Sequence, residues 1–224
     1  VFLPPGISDT ASAAEKKMFR ALAGIGFDAM VFHSIGLAEH RHKAYGEIDF
    51  VLLSEYGVLC LEVKGGGVAC DARGIWHYTD RFGNEHIAKE SPFRQATANL
   101  FSLRDYLHSR LPSDSVLRDA PFGCALAFPD VSFTQTVAEF PAGLVYDNRT
   151  PDLTAFLIDA ARYWSDKQST SRGATCTGLN PAGIEQLATL LRSDFHVLLR
   201  LTDIVRDTET QLSRLTDEQA YFMD

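Results

Sequence analysis

Asp49, Glu62 and Lys64 are the residues best placed to do chemistry, because their spacing can bring them together on one pair of strands. Two apolar runs, Ile48–Leu53 and Val58–Val63, flank Ser54-Glu55-Tyr56-Gly57. That pattern reads as a hairpin whose Gly57 supplies the positive φ of a tight turn. Pairing Ser54 with Gly57 sets Asp49 opposite Glu62, and the period-2 alternation of strands puts Lys64 on the same face. Ile48, Phe50, Leu52, Leu59, Leu61 and Val63 form the other face, which must be core. A slip of one residue would turn Asp49 into that apolar surface, where an unpaired carboxylate is costly to bury.

Two carboxylates beside an ammonium have a definite use. Asp49 and Glu62 offer hard oxygen ligands, with the Val63 carbonyl between Glu62 and Lys64. This set is too small for a complete cage. It suits Mg²⁺ (or Mn²⁺) that keeps waters and adds phosphate oxygens from a substrate. With Lys64 holding developing negative charge, the chemistry expected is metal-assisted hydrolysis of a phosphodiester. Glu15 adds a third carboxylate, at the top of a stripe formed by Met18, Phe19 and Leu22. The plainer alternative is an ordinary hairpin carrying a surface Glu–Lys pair.

The elements that must position these groups follow from periodicity and punctuation. A helix is expected over residues 10–23, capped by Asp9 or Thr10 and stopped by Gly24 and Gly26. Strands are expected at Ala29–Ile35, Ile48–Leu53, Val58–Val63 and Gly74–Thr79. Ser91–Pro92 opens a second helix of about five turns that runs to Leu111–Pro112. Cys124–Phe128 and Leu144–Tyr146 read as further strands, and Leu153–Trp164 as an amphipathic helix. Lys167–Thr177, rich in Ser, Thr and Gly, reads as a linker. Pro181–Arg192 and Phe195–Leu212 read as two more helices. The fold class is α/β with a central mixed sheet flanked by helices and a C-terminal helical appendage.

Composition bounds the function. The 224 residues are 46% hydrophobic and 22% charged, as in folded globular chains rather than disordered ones. The longest apolar stretch is broken by Asp49, Glu55 and Glu62, so no membrane span is expected. The four cysteines, Cys60, Cys70, Cys124 and Cys176, form no CxxC pair, which argues against a zinc knuckle. Free thiols and the lack of a signal peptide favour the cytoplasm. The net charge is −8, the wrong sign for a purely electrostatic nucleic-acid binder. Residues 1–120 carry only −2 of it and residues 121–224 carry −6. The acidity of the first part includes the three carboxylates a metal would neutralise.

Arg41 and Lys43, in the polar loop before the Asp49 strand, and Arg94, on the second helix, are candidate phosphate contacts; solvated surface explains them equally. His77 and His86 lack metal-ligand spacing and read as surface or packing residues. Trp76 and Tyr78 alternate on a strand, either as a stacking platform or as a half-buried sheet face.

Gly46-Glu47-Ile48-Asp49-Phe50, Glu62-Val63-Lys64, Gly74-Ile75-Trp76 and Ser91-Pro92-Phe93-Arg94-Gln95 together resemble the NERD (nuclease-related) domain. That family is similar to the PD-(D/E)xK restriction-endonuclease-like nucleases, and the resemblance covers roughly Ala11–Leu111. It implies a restriction-endonuclease-like core and Mg²⁺-dependent cleavage of DNA. Asp49 and Glu62 would be metal ligands, Lys64 the catalytic lysine and Glu15 the carboxylate of the first helix. Gln95 would orient phosphate or water. Ser91 departs from the asparagine expected before the proline, which touches a helix cap and not the chemistry.

Leu215-Thr216-Asp217-Glu218-Gln219 looks like the Q motif that opens superfamily I helicases, in which Gln219 would read adenine. No GxxxxGK[ST] occurs, so ATP would be bound only in a longer, helicase-containing protein. With Val1 in place of Met, the expectation is a nuclease domain over 1–166, a linker over 167–179 and an appendage over 180–224, cut from a nuclease–helicase. DNA, the helicase domain and a second copy of the chain are the expected partners. The alternative is a catalytically silent module that docks nucleic acid or a partner for the helicase.

Overall fold

The computed structural model describes residues 2–37, 46–80 and 82–192. In chain order the elements are β1 (Phe2–Leu3), α1 (Ala13–Leu22), β2 (Ala29–Leu37), β3 (Gly46–Ser54) and β4 (Gly57–Val63). They continue with β5 (Gly67–Cys70), β6 (Trp76–Thr79), β7 (Glu85–Ala88), α2 (Pro92–Arg110) and β8 (Phe122–Phe128). β9 (Val145–Asp147), α3 (Leu153–Arg172) and α4 (Pro181–Leu191) complete the set.

Six strands form a mixed sheet in the order β1-β2-β3-β4-β8-β9. β2, β3 and β4 are antiparallel neighbours, whereas β8 runs parallel to β4 and β9 parallel to β8. A parallel partner needs a crossover, and the segment between β4 and β8 supplies one that contains α2. Central strands in such an arrangement are covered on both faces, and every residue of β4 and β8 is buried. Phe50, Leu52, Leu59 and Leu61 make one core face, as expected. The face bearing Asp49 and Glu62 is also packed, since Val51, Leu53, Val58 and Cys60 lie there and are buried. Near Gly123 the backbone of β8 lies so close to Trp164 of α3 that an added Cβ would fall 2.5 Å from the indole.

Gly57 adopts a φ of 113°, as the tight turn requires. A Cβ there would also come within 2.4 Å of the Pro121 carbonyl oxygen. Both effects oppose any other residue, so Gly57→Ala should lower stability by roughly 2 kcal/mol, read as a reduced urea midpoint at unchanged slope. An unchanged midpoint would show that the turn relaxes freely.

Several boundaries differ from the sequence-based expectation. α1 begins at Ala13, because Ser12 and not Asp9 or Thr10 is its cap. The Ser12 hydroxyl accepts from the Glu15 amide, and the Glu15 carboxylate accepts from the Ser12 amide, each at 3.1 Å. β6 is the middle strand of a small antiparallel sheet with β5 and β7, two short strands without a clear alternation. α3 extends through the first six residues of the expected linker to Arg172, where Gly173 closes it in the left-handed region. α4 buries Leu187 and Ala188 in the common core, and the Tyr106 hydroxyl of α2 donates to the Leu190 carbonyl at 3.0 Å. Among the described residues no helix is long and apolar enough to cross a membrane. The expected helix at Phe195–Leu212 lies outside the described residues.

Candidate active site

The β3–β4 ladder runs from Ser54–Gly57 to Phe50–Leu61, in the register expected. There it ends. Asp49 and Glu62 are not a ladder pair; instead an Asp49 carboxylate oxygen accepts from the Val63 amide at 2.7 Å. The next amide along the chain, that of Lys64 just past β4, donates to the Ala127 carbonyl of β8 at 2.9 Å. β4 therefore stays with β8 while a side chain takes over the pairing toward β3. The opening lies where the two acidic residues stand.

Glu62 is 2% exposed. One of its carboxylate oxygens accepts from the Lys64 ammonium at 2.7 Å and the other from the Asn99 amide at 3.0 Å. Asn99, on α2, also donates to the Glu47 carbonyl at 3.1 Å, which ties the helix to β3. Glu15 accepts from the capping amide on one oxygen and meets His33 Nε2 at 3.0 Å on the other. The buried His33 ring is fixed between Phe19 and Phe50.

These surroundings set the charges. Burial, reinforced by the neighbouring Glu62 carboxylate, raises the Asp49 carboxyl well above its ordinary range. Burial opposes the charge on Lys64, but Glu62 and then Asp49 outweigh it and raise the ammonium. Lys64 is thus a cation at neutral pH. Burial pushes Glu15 up, but hydrogen bonds from Ser12 and His33 outweigh it and hold the carboxyl low. Burial, with Glu62 next, raises the Tyr78 hydroxyl, which stays protonated.

On the other side of β3, the ladder to β2 skips Ser34, the residue that would face Asp49. Ser34 has a φ of 57°, the one positive value outside glycine among the described residues. A left-handed serine costs about 1 kcal/mol or more. Its hydroxyl donates to the Glu47 carboxylate. The Arg192 guanidinium, just past α4, donates to the His33 and Ser34 carbonyls at 3.1 and 3.4 Å.

Glu15, Asp49, Glu62, Val63, Lys64 and Gln95 all line one cleft of about 440 Å³. Arg94 is exposed and lines an adjoining groove of about 880 Å³ with Lys89, Phe93 and Phe101. Glu90 borders both. Arg41, Lys43 and Gln219 lie outside the described residues. Ser12, Asn99 and His86 also line the cleft and were not singled out by the sequence as site residues, and Tyr78, weighed as a stacking platform, lines it too. Asn99 stands four residues after Gln95 and so shares its helix face, a spacing that could have pointed to it. Ser12 opens an S-x-x-E capping box that ends on Glu15. The wall formed by Tyr78 and His86 depends on β7, which has no strong pattern. Among the described residues no three His, Cys, Asp or Glu side chains are arranged to hold an ion by themselves.

No curated protein and no solved structure matches the chain. Residues 10–129 match the family model described as the nuclease-related domain, NERD. That span is more than half of the 224 residues and contains Glu15, Asp49, Glu62, Lys64 and Gln95. Family match, mixed α/β fold and shared cleft agree, and the chain belongs to the NERD, nuclease-related domain, family.

Proposed function

We propose that the cleft hydrolyses phosphodiester bonds in nucleic acid, using a divalent cation held by Asp49, Glu62 and the Val63 carbonyl. The observation that carries this reading is the meeting of two carboxylates and a protonated lysine in one cleft of a nuclease-related chain. The donors fit Mg²⁺ or Mn²⁺: all are hard oxygens, and half-buried Asp49 stands beside a second carboxylate, a repulsion that a cation relieves. Two carboxylates and a carbonyl leave positions for water and phosphate. When bound, such an ion supplies positive charge at a phosphate and makes water more acidic.

The rest is done by the chain. Lys64 keeps its proton and faces the charge that grows on the phosphate oxygens during attack. Asn99 fixes the Glu62 carboxylate, so the lysine and the ligand oxygen are positioned together. Gln95 presents an amide that can hold a phosphate oxygen or the attacking water. Glu15, ionised and anchored to a helix start, offers an acceptor for the water proton. The finer reading is DNA as substrate, with this module serving a helicase in repair or in defence against foreign DNA.

Calorimetric titration with Mg²⁺ and Mn²⁺, followed by cleavage assays on single- and double-stranded DNA, tests the proposal. Saturating cation at about a hundred times its Kd should stabilise the fold by roughly 2.7 kcal/mol and permit cleavage. DNA binding that needs no cation and leads to no cleavage would favour a silent docking module. A chain that neither binds the cation nor cuts with DNA present would end the catalytic reading.

A further inference from the structure

The lining of the cleft is strongly acidic. Glu15, Glu47, Asp49, Glu62 and Glu90 border it, and among the described residues that line it only Lys64 and His86 are of basic type. Lys64 is engaged with Glu62 at 2.7 Å. A phosphate backbone entering this space therefore needs a further donor, and His86 stands on a different element from all of the acidic groups named except Glu90, which follows β7 closely.

The small sheet fixes where His86 points. Trp76 is buried and meets the Phe93 ring edge-on at 5.6 Å, so its face of β6 looks inward. Side chains alternate along a strand, which sends Tyr78 the same way. Tyr78 pairs directly with His86 across the ladder, and Trp76 with Ala88, so both β7 residues share that face. Tyr78, His86 and Ala88 accordingly line the cleft. Ile87 lies on the opposite face and is exposed. His86 itself is exposed, and no described side chain pairs with it.

We propose that His86, with Tyr78 beside it, is the wall of the cleft that contacts the phosphate backbone of one nucleic-acid strand. The imidazole donates an N–H to a phosphate oxygen, and the protonated Tyr78 hydroxyl donates beside it while its ring offers a face to sugar or base. This inference rests on the nucleic-acid reading of the cleft and adds to it a substrate contact from the small sheet.

Fluorescence anisotropy of a short labelled single strand, with Ca²⁺ replacing Mg²⁺ to keep the site charged, separates the two. Wild type should bind, His86→Ala should bind about tenfold more weakly, and His86→Lys, which restores a donor, should recover most of the loss. Tyr78→Phe should weaken binding about threefold, and Ile87→Ala should change nothing. Binding by wild type that His86→Ala leaves unaltered, or a loss that His86→Lys fails to recover, overturns the assignment of His86 alone. An absence of cation-dependent binding by wild type overturns the nucleic-acid reading with it.

Discussion

Asp49→Asn should lower cation-dependent cleavage by about 10²–10³-fold and, without metal, raise the melting temperature. The two effects have one cause. Asp49 is half-buried beside Glu62 and takes up a proton more readily in the folded chain than in the unfolded one. Its contribution to stability is therefore full below the unfolded value near 3.9 and is lost as pH rises through the raised folded value. Above that value the ionised carboxylate is a burden, whereas asparagine keeps an oxygen for the Val63 amide and carries no charge. A gain of about 1 kcal/mol corresponds to roughly 2–4 °C in a chain of this size. The difference between variant and wild type should widen with pH across that window and close when Mg²⁺ is added to wild type. A variant that melts lower than wild type at every pH would show that Asp49 supports the fold and that its charge is well accommodated.

Lys64→Met should act in the opposite sense on stability. Glu62 is 2% exposed, and Lys64 supplies a cation at 2.7 Å from its carboxylate. Removing one member of a buried pair leaves the other charge uncompensated, a loss of about 3–5 kcal/mol in fully dry sites. The Lys64 side chain is 24% exposed, so roughly 2–3 kcal/mol is expected, measured from urea midpoints. The double variant Glu62→Gln/Lys64→Met should recover part of the loss, because the amide oxygen introduced in place of the carboxylate can still accept from Asn99 and carries no charge. Mg²⁺ should restore much of the stability of Lys64→Met without restoring cleavage. If Lys64→Met melts like wild type, Glu62 is compensated by other means.

The parts of this architecture that could be read in advance are those fixed by local rules. The register of β3 and β4 follows from Gly57 and from alternating apolar residues, and it holds to Phe50–Leu61. Where it stops was not legible. The Asp49–Val63 bond replaces a ladder contact with a side chain, and nothing in strand periodicity marks that substitution. α2 could be foreseen from Ser91–Pro92, but the role of Asn99 requires knowing that α2 covers the Glu62 face. His33 stands next to Ser34 in an otherwise apolar strand, and only the packing of α1 brings Glu15 to it. The small sheet escaped because β5 and β7 have four residues each and little alternation, so pairing with β6 defines them more than propensity does.

The bonds from Arg192 to the His33 and Ser34 carbonyls of β2 bear on how this unit is divided or inherited. The family match ends at residue 129, a span that holds every acidic cleft residue and Lys64. A piece cut there would keep the chemistry and lose its scaffolding. The guanidinium that satisfies the His33 and Ser34 carbonyls would go, as would the Trp164 indole, whose N–H donates to the Cys124 carbonyl of β8 at 2.8 Å. Ser34 would then hold a left-handed backbone with nothing drawing its carbonyl outward, and the easiest relaxation is a return to regular pairing against Asp49. The smallest transplantable piece thus extends to Arg192, and a graft ending earlier would carry the acidic residues beside a β2 no longer held at Ser34.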